Sequence, residues 1–260
     1  MEDAIEKFSV FGGVEWGDID TSKPTFELIE KLVLEDYTYI RNDVSELTDG
    51  MPLYHSILTA IALGDGKTHT AYKRANISKD VGDKAVDELC EIGIIKLKKS
   101  KKSSDKLYFS SPFLRFWFAF ISPLFKGIKE GNFKEVQERF LNRHSEFINL
   151  TFIQLSQEFL KFSLKDEGLL ECSSYWDDQN ELDIYAKTKS KKIIVGSCKY
   201  TNSKVKKSEL SRLQQKCQEL NIKADTFVIF SKKGFSSELK SLKGENLKLY
   251  TIKNLKQMVE

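Results

Sequence analysis

The chain has few of the residues that interrupt or cross-link a fold. Its 260 residues include only four prolines and 14 glycines, which excludes a collagen-like or proline-rich low-complexity chain. The four cysteines, Cys90, Cys172, Cys198 and Cys217, form no CxxC pair, so they read as buried thiols rather than a disulfide framework. Three histidines, His55, His69 and His144, lie too far apart for a zinc-ligand spacing. No Walker-type phosphate loop (GxxxxGK followed by Ser or Thr) is encoded. No apolar run approaches the ~20 residues that cross a bilayer. The opening Met1-Glu2-Asp3-Ala4-Ile5-Glu6 is acidic where a secretory leader is basic and then apolar. These absences predict a cytoplasmic protein with no membrane span. Aromatic material is plentiful: 18 Phe, nine Tyr and three Trp in a chain that is 40% hydrophobic, enough for a packed core. At about 150 residues per domain, the length predicts one or two domains.

The net charge of +3 conceals an asymmetry. Residues 1–50 hold four basic and 13 acidic side chains, and the remaining residues hold 37 basic and 25 acidic. An acidic front suits a basic protein partner, and a basic body suits either nucleic acid or a lysine-solvated surface.

Periodicity divides the chain into four stretches. Residues 1–50 read as a small helical region. Residues 51–111 read as helix, helix, helix, strand, basic loop, strand. The helices fall at Tyr54–Leu63, Lys67–Ala75 and Lys79–Ile92, with Ser78 as N-cap and Gly93 just past the end. The strands fall at Ile94–Leu97 and Leu107–Phe109. That order predicts a winged helix-turn-helix. Its wing segment carries Lys96, Lys98, Lys99, Lys101, Lys102 and Lys106, candidate contacts to DNA phosphates. The third helix carries Asp80, Asp83, Asp87, Glu88 and Glu91, which would repel DNA unless they face away. Residues 112–135 open with Pro112–Ile121, apolar nearly all round, and predict a buried aromatic linker helix. Residues 136–260 predict a mixed α/β domain. A long helix ends near Leu164. Strands follow at Leu169–Tyr175, Glu181–Lys187 and Lys191–Tyr200, then a helix at Ser203–Leu220 with Ser203 as a possible cap. A strand at Thr226–Ser231, a short helix, a strand at Leu247–Ile252 and a terminal helix at Asn254–Val259 complete it.

Two stretches carry a family resemblance. Tyr108-Phe109-Ser110-Ser111-Pro112-Phe113-Leu114-Arg115-Phe116-Trp117-Phe118-Ala119-Phe120 resembles the "dPFLRFWFrF" signature of an archaeal-type AAA ATPase family. Glu181-Leu182-Asp183-Ile184-Tyr185-Ala186 with Val195-Gly196-Ser197-Cys198-Lys199-Tyr200 resembles that family's "EiDivA…vGECKW" pair. Phe11-Gly12-Gly13-Val14 is similar to the "GGVP" turn of its lid, with Glu15 in place of the proline. The resemblance implies a lid remnant, a winged helix and a restriction-endonuclease-like, PD-(D/E)XK domain of unknown function, without the ATP-binding core. It also implies a full-length ATPase of the family as a possible protein partner.

A PD-(D/E)XK site holds Mg²⁺ or Mn²⁺ between carboxylates and aligns a lysine with the attacking water. Asp183 and Lys199 match that pattern and Asp183 would be the metal ligand. Ser197 stands where the second carboxylate belongs, and a hydroxyl is a poor ligand for a hard cation. Residues 197 and 199 share one face of a strand. Glu158 or Glu146 of the preceding helix, or Glu209 folding back from the following one, are the candidates to complete the site. The bland alternatives are an Asp183–Lys199 ion pair, Cys198 as core filler and Glu158 as a solvated helix residue. The resulting expectation is a DNA-binding protein with a degenerate nuclease-like domain. The alternatives are an active Mg²⁺-dependent nuclease and a protein-interaction partner of a related ATPase.

Overall fold

A computed structural model describes residues 1–17, 19–100 and 103–258. The chain forms two compact units. One is helical and comprises residues 6–100 and 104–144. The other is built on a sheet and draws mainly on residues 145–258, together with residues 1–5. Among the described residues no helix is long and apolar enough to cross a membrane.

The helical unit opens with α1 (Glu2–Phe11), α2 (Thr25–Ile29) and α3 (Tyr37–Leu47). A wider π turn, Glu30–Leu34, continues α2. The sequence marks α1 and α3 poorly because both are rich in polar or charged residues and bury narrow stripes: Ile5, Val10 and Phe11 in one, Tyr37 and Val44 in the other. Next come α4 (Pro52–Ala62), α5 (Thr68–Ala75) and α6 (Lys79–Glu91). Each boundary has a local cause. Pro52 sits at the start of α4, where its missing N–H costs nothing. Asn76 ends α5 in the left-handed region at φ 55°. The Ser78 hydroxyl caps α6 by accepting from the Val81 N–H. Two antiparallel strands follow, β1 (Ile95–Lys98) and β2 (Lys106–Phe109), in register from Ile95↔Phe109 to Lys98↔Lys106. Lys67, just before α5, adds an antiparallel bridge to Lys106.

The aromatic stretch is not one helix. It runs as α7 (Pro112–Phe116), a π turn at Trp117–Ile121, a 3-10 turn at Ser122–Leu124, and α8 (Phe125–Lys129). Pro123 has no N–H to donate and its ring crowds the carbonyl of Ala119, so a regular ladder cannot continue through it. Nor is the stretch a connector. Phe113, Phe116, Trp117, Phe118, Phe120 and Ile121 are all buried in the helical unit. Trp117 stacks on Tyr37 at 5.7 Å, and Phe116 and Phe120 meet Phe140 at 6.0 and 5.3 Å. The stretches 1–50, 51–111 and 112–135, distinct by pattern, thus supply most of their residues, 6–100 and 104–135, to this one unit.

His55 lies against this core, 4.9 Å from the Phe118 ring, with Nδ1 3.3 Å from the Ser122 hydroxyl. Burial, with a smaller push from Arg41, holds its pKa below the ordinary 6.5. Below pH 6.5 the unfolded chain therefore takes up a proton that the folded chain resists, and stability falls as pH falls. In urea titrations at pH 7.5 and 5.5, wild type is expected to lose more stability on acidification than His55→Gln. Equal losses would remove His55 from the account.

The sheet unit has five strands in sequential order: β3 (Leu169–Trp176), β4 (Glu181–Thr188), β5 (Ile193–Lys199), β6 (Thr226–Ser231) and β7 (Leu247–Thr251). The first three are antiparallel neighbours and the last three are parallel. Helix α9 (Lys134–Ser163) is one continuous helix that leads into β3. Helix α10 (Lys207–Glu219) connects β5 to β6, and α11 (Ser237–Ser241) connects β6 to β7. A 3-10 segment, Ile252–Met258, follows β7. Ser203 does not cap α10, which starts at Lys207 without a side-chain cap. A parallel bridge between Val205 and Phe235 ties the preceding segment to the loop after β6. One core layer joins Leu182 and Val195 to Leu213, Cys217 and Leu220 of α10 and its end.

Strand β5 fits its central place because Gly196 has no side chain. A Cβ there would lie 2.5 Å from Val228 Cγ2 and 3.0 Å from Ile184 Cβ. Gly196→Ala is expected to cost about 1–3 kcal/mol by overpacking, read as a lower urea midpoint. An unchanged midpoint would mean that the neighbouring strands can move apart.

Candidate functional site

The sheet brings three of the five sequence-predicted site residues together. Asp183 on β4 and Ser197 on β5 flank the last antiparallel pair, Ile184↔Gly196. Lys199 lies two residues beyond Ser197, on the same face. Glu209 is in the first turn of α10, where a carboxylate is favoured by the helix dipole. Its side chain folds back toward β5. Oε1 accepts from the Ser197 hydroxyl at 2.8 Å and pairs with Lys199 Nζ at 3.1 Å. Oε2 lies 3.5 Å from Arg212 Nη1. Glu209 is 13% exposed, so these partners account for much of its surroundings.

Asp183 makes a different bond. Its Oδ2 accepts from the Cys198 N–H at 2.7 Å, closing the ladder where the β4–β5 pairing ends. Lys199 therefore takes Glu209, and not Asp183, as its ion-pair partner. Burial pushes the Asp183 carboxyl above its ordinary value. The Cys198 N–H and Lys199 oppose that rise without cancelling it. Cys198 itself is buried, and desolvation together with the Asp183 charge drives its thiol far above the ordinary range. It is a neutral core group and no nucleophile.

Glu158 is not at the site. It is 60% exposed and its Oε1 pairs with Lys161 Nζ at 2.7 Å on the outer side of α9. The residue that α9 turns toward Asp183 is its neighbour Gln157, whose amide donates to the Asp183 carbonyl at 2.7 Å and to the Ser174 hydroxyl at 3.1 Å. Glu146, twelve residues before Glu158 on the helix, is exposed. Periodicity locates α9 but not its rotation to within one residue. Gln157 and Glu158, as adjacent residues, sit about 100° apart around the helix.

The donor set does not fit a Mg²⁺ or Mn²⁺ ion. Among the described residues no group of three or more His, Cys, Asp or Glu side chains could hold a metal. Glu209 is committed to a hydroxyl and two cations, and one oxygen of Asp183 to a backbone amide. A hollow of about 700 Å³ at the opposite, amino ends of β5 to β7 is lined by Lys192, Asp225 and Lys248 and contains none of these residues.

Of the six wing lysines, Lys101 and Lys102 lie outside the described residues. Lys96 and Lys99 are exposed and Lys98 is half-buried. Lys106 is not a surface contact: it is 4% exposed, and its backbone pairs with Lys98 on one side and with Lys67 on the other. On α6 the buried face is Gly82, Ala85, Val86 and Leu89. Its solvent face carries Lys79, Asp80, Asp83, Lys84, Asp87 and Glu91. Tyrosines engage two of the helix's acids: Tyr72 donates to Asp83 at 2.9 Å and Tyr54 to Glu88 at 2.5 Å.

Comparison with known proteins adds little chemistry. Curated proteins gave no match. The structure is similar to the crystal structure of protein VC1899 from Vibrio cholerae, at 14% identity and a TM-score of 0.31 over 80% of this chain. The chain spans 55% of the length of that protein. Residues 117–212, which run from the aromatic π turn to Arg212 and include Asp183, Ser197, Lys199 and Glu209, match the DUF234 family model, described as archaeal and bacterial proteins of unknown function.

Proposed function

We propose that this protein binds DNA through the carboxyl ends of β5 and β6, on a nuclease-like fold whose catalytic chemistry has been given up. The observation that carries the reading is the Ser197–Glu209–Lys199 network beside Asp183. It keeps the lysine and the aspartate of a PD-(D/E)XK arrangement. It spends the remaining carboxylate on internal bonds where a nuclease would spend it on a cation. The connectivity supports the same reading: a helix, three antiparallel strands, a crossover helix and a parallel strand. Around the site, Lys204, Lys206 and Lys207 of the β5–α10 segment supply charge for phosphates.

The stretch from α4 to β2 is read as a winged helix, supported by the three helices, the hairpin and the extra strand bridge at Lys67. Its third helix presents four acids and two lysines to solvent, a net negative face that disfavours insertion into a groove. Any DNA contact here belongs to the wing and carries no sequence information. Binding by the sheet unit and by the wing separate by mutation. Lys199→Met is expected to weaken binding of a labelled duplex about five- to tenfold at low salt. The quadruple variant Lys98→Ala, Lys99→Ala, Lys101→Ala, Lys102→Ala is expected to have the smaller effect per charge removed. If Lys199→Met binds like wild type, the sheet unit is not the DNA surface.

A further inference from the structure

Next to the candidate site the sheet unit holds a cation that the network above does not use. Lys232 follows the last residue of β6, and its N–H donates to the Lys199 carbonyl at 3.0 Å. Its side chain is only 6% exposed, and its ammonium lies 4.5 Å from the centre of the buried Tyr200 ring. An ammonium so enclosed needs an anion, because the ring quadrupole alone does not replace its lost hydration. Lys233, beside it, is 44% exposed. Both ammoniums converge on one carboxylate. Glu2 Oε1 lies 2.5 Å from Lys232 Nζ, and Glu2 Oε2 lies 3.1 Å from Lys233 Nζ.

We propose that Lys232 and Lys233 form a phosphodiester subsite at the carboxyl end of β6, and that Glu2 occupies it as an intramolecular competitor. The assignment rests on the DNA-binding reading above and names a contact within it. A carboxylate and a phosphodiester each present one negative charge over two oxygens, so two ammoniums that divide a carboxylate can divide a phosphate in the same way. The place is where parallel strands of an α/β sheet present ligands, at their carboxyl ends. Glu2 is 41% exposed, so its side chain can leave by rotating into solvent without disturbing the strand ends. The exchange conserves charge: Lys232 is never left without a counter-ion, because the incoming phosphate replaces the departing carboxylate. Affinity is then reduced by the fraction of molecules in which Glu2 holds the site.

The test compares wild type, Glu2→Gln, Asp3→Asn and Glu2→Gln/Lys232→Met by anisotropy of a labelled duplex, with inorganic phosphate as a second probe by thermal shift. Asp3→Asn removes the same charge from the same helical turn. The expected result is about fivefold tighter DNA binding for Glu2→Gln, with a salt slope steeper by about one to two phosphate contacts. The gain disappears in Glu2→Gln/Lys232→Met, and Asp3→Asn stays at the wild-type value. An equal gain in Asp3→Asn, or no gain in Glu2→Gln, overturns the subsite while leaving DNA binding itself intact. DNA binding by none of the four proteins overturns both. Stabilisation of Glu2→Gln by inorganic phosphate without DNA binding overturns the phosphodiester assignment in favour of a free-anion site. Should Glu2→Gln fail to fold, Lys233→Met in the wild-type background takes its place. Unchanged DNA affinity and salt slope in that variant overturns the subsite.

Discussion

Phe140→Ala is expected to bring the helical unit close to unfolding. The ring is 2% exposed and packs edge-on to Phe116 and Phe120, with Phe26 at 6.5 Å and His144 at 5.4 Å. Truncating a phenylalanine in such a site costs about 3–5 kcal/mol through lost transfer energy and the cavity left behind. A domain's whole stability is about 5–15 kcal/mol. A thermal melt should show a large fall in the transition of this unit. Phe140→Leu, which refills most of the volume, should recover a good part of it. A melt unchanged in Phe140→Ala would mean that the aromatic stretch can repack around the gap.

The second large effect concerns Glu209. Glu209→Leu removes the acceptor of the Ser197 hydroxyl and the counter-charge of Lys199, both in surroundings that exclude much of the water. The sheet unit should lose about 1–3 kcal/mol. Its affinity for DNA should rise at the same time, because Lys199 is released from its internal partner. These opposite signs separate the present account from a metal site. A carboxylate serving as metal ligand is a stability liability whose removal abolishes cleavage. A carboxylate serving as an internal counter-ion is a stability asset whose removal frees a cation. Urea unfolding and duplex binding of the one variant therefore decide between the two roles.

Much of the sheet unit is legible in the sequence, for identifiable reasons. The runs Ile193-Ile194-Val195 and Phe227-Val228-Ile229-Phe230 are apolar because both strands are covered on two faces. The shared face of Ser197 and Lys199 follows from the period of a strand, and the reach of Glu209 from its place in the first turn of the next helix. Other features depend on tertiary partners that no local pattern encodes. Gln157 rather than Glu158 meets Asp183 because packing sets the rotation of α9. Lys106 is buried on a strand that Lys67, far back in the chain, bridges from the other side. The π turn at Trp117–Ile121 looks like any apolar helix until its rings are placed against Tyr37 and Phe140. The contact of Glu2 with Lys232 and Lys233 joins residues near the two ends of the sequence, and composition alone says only that one end is acidic and the other basic.

The central claim is that the protein binds DNA by phosphate contacts at an uncatalytic nuclease-like site. Its most direct test is anisotropy of a labelled duplex titrated with salt, with and without Mn²⁺. The account predicts saturable binding, a steep linear fall of log K with log salt concentration, and an intact duplex after incubation with the ion. Absence of binding at low salt, or Mn²⁺-dependent cleavage that disappears in Asp183→Ala, would contradict it.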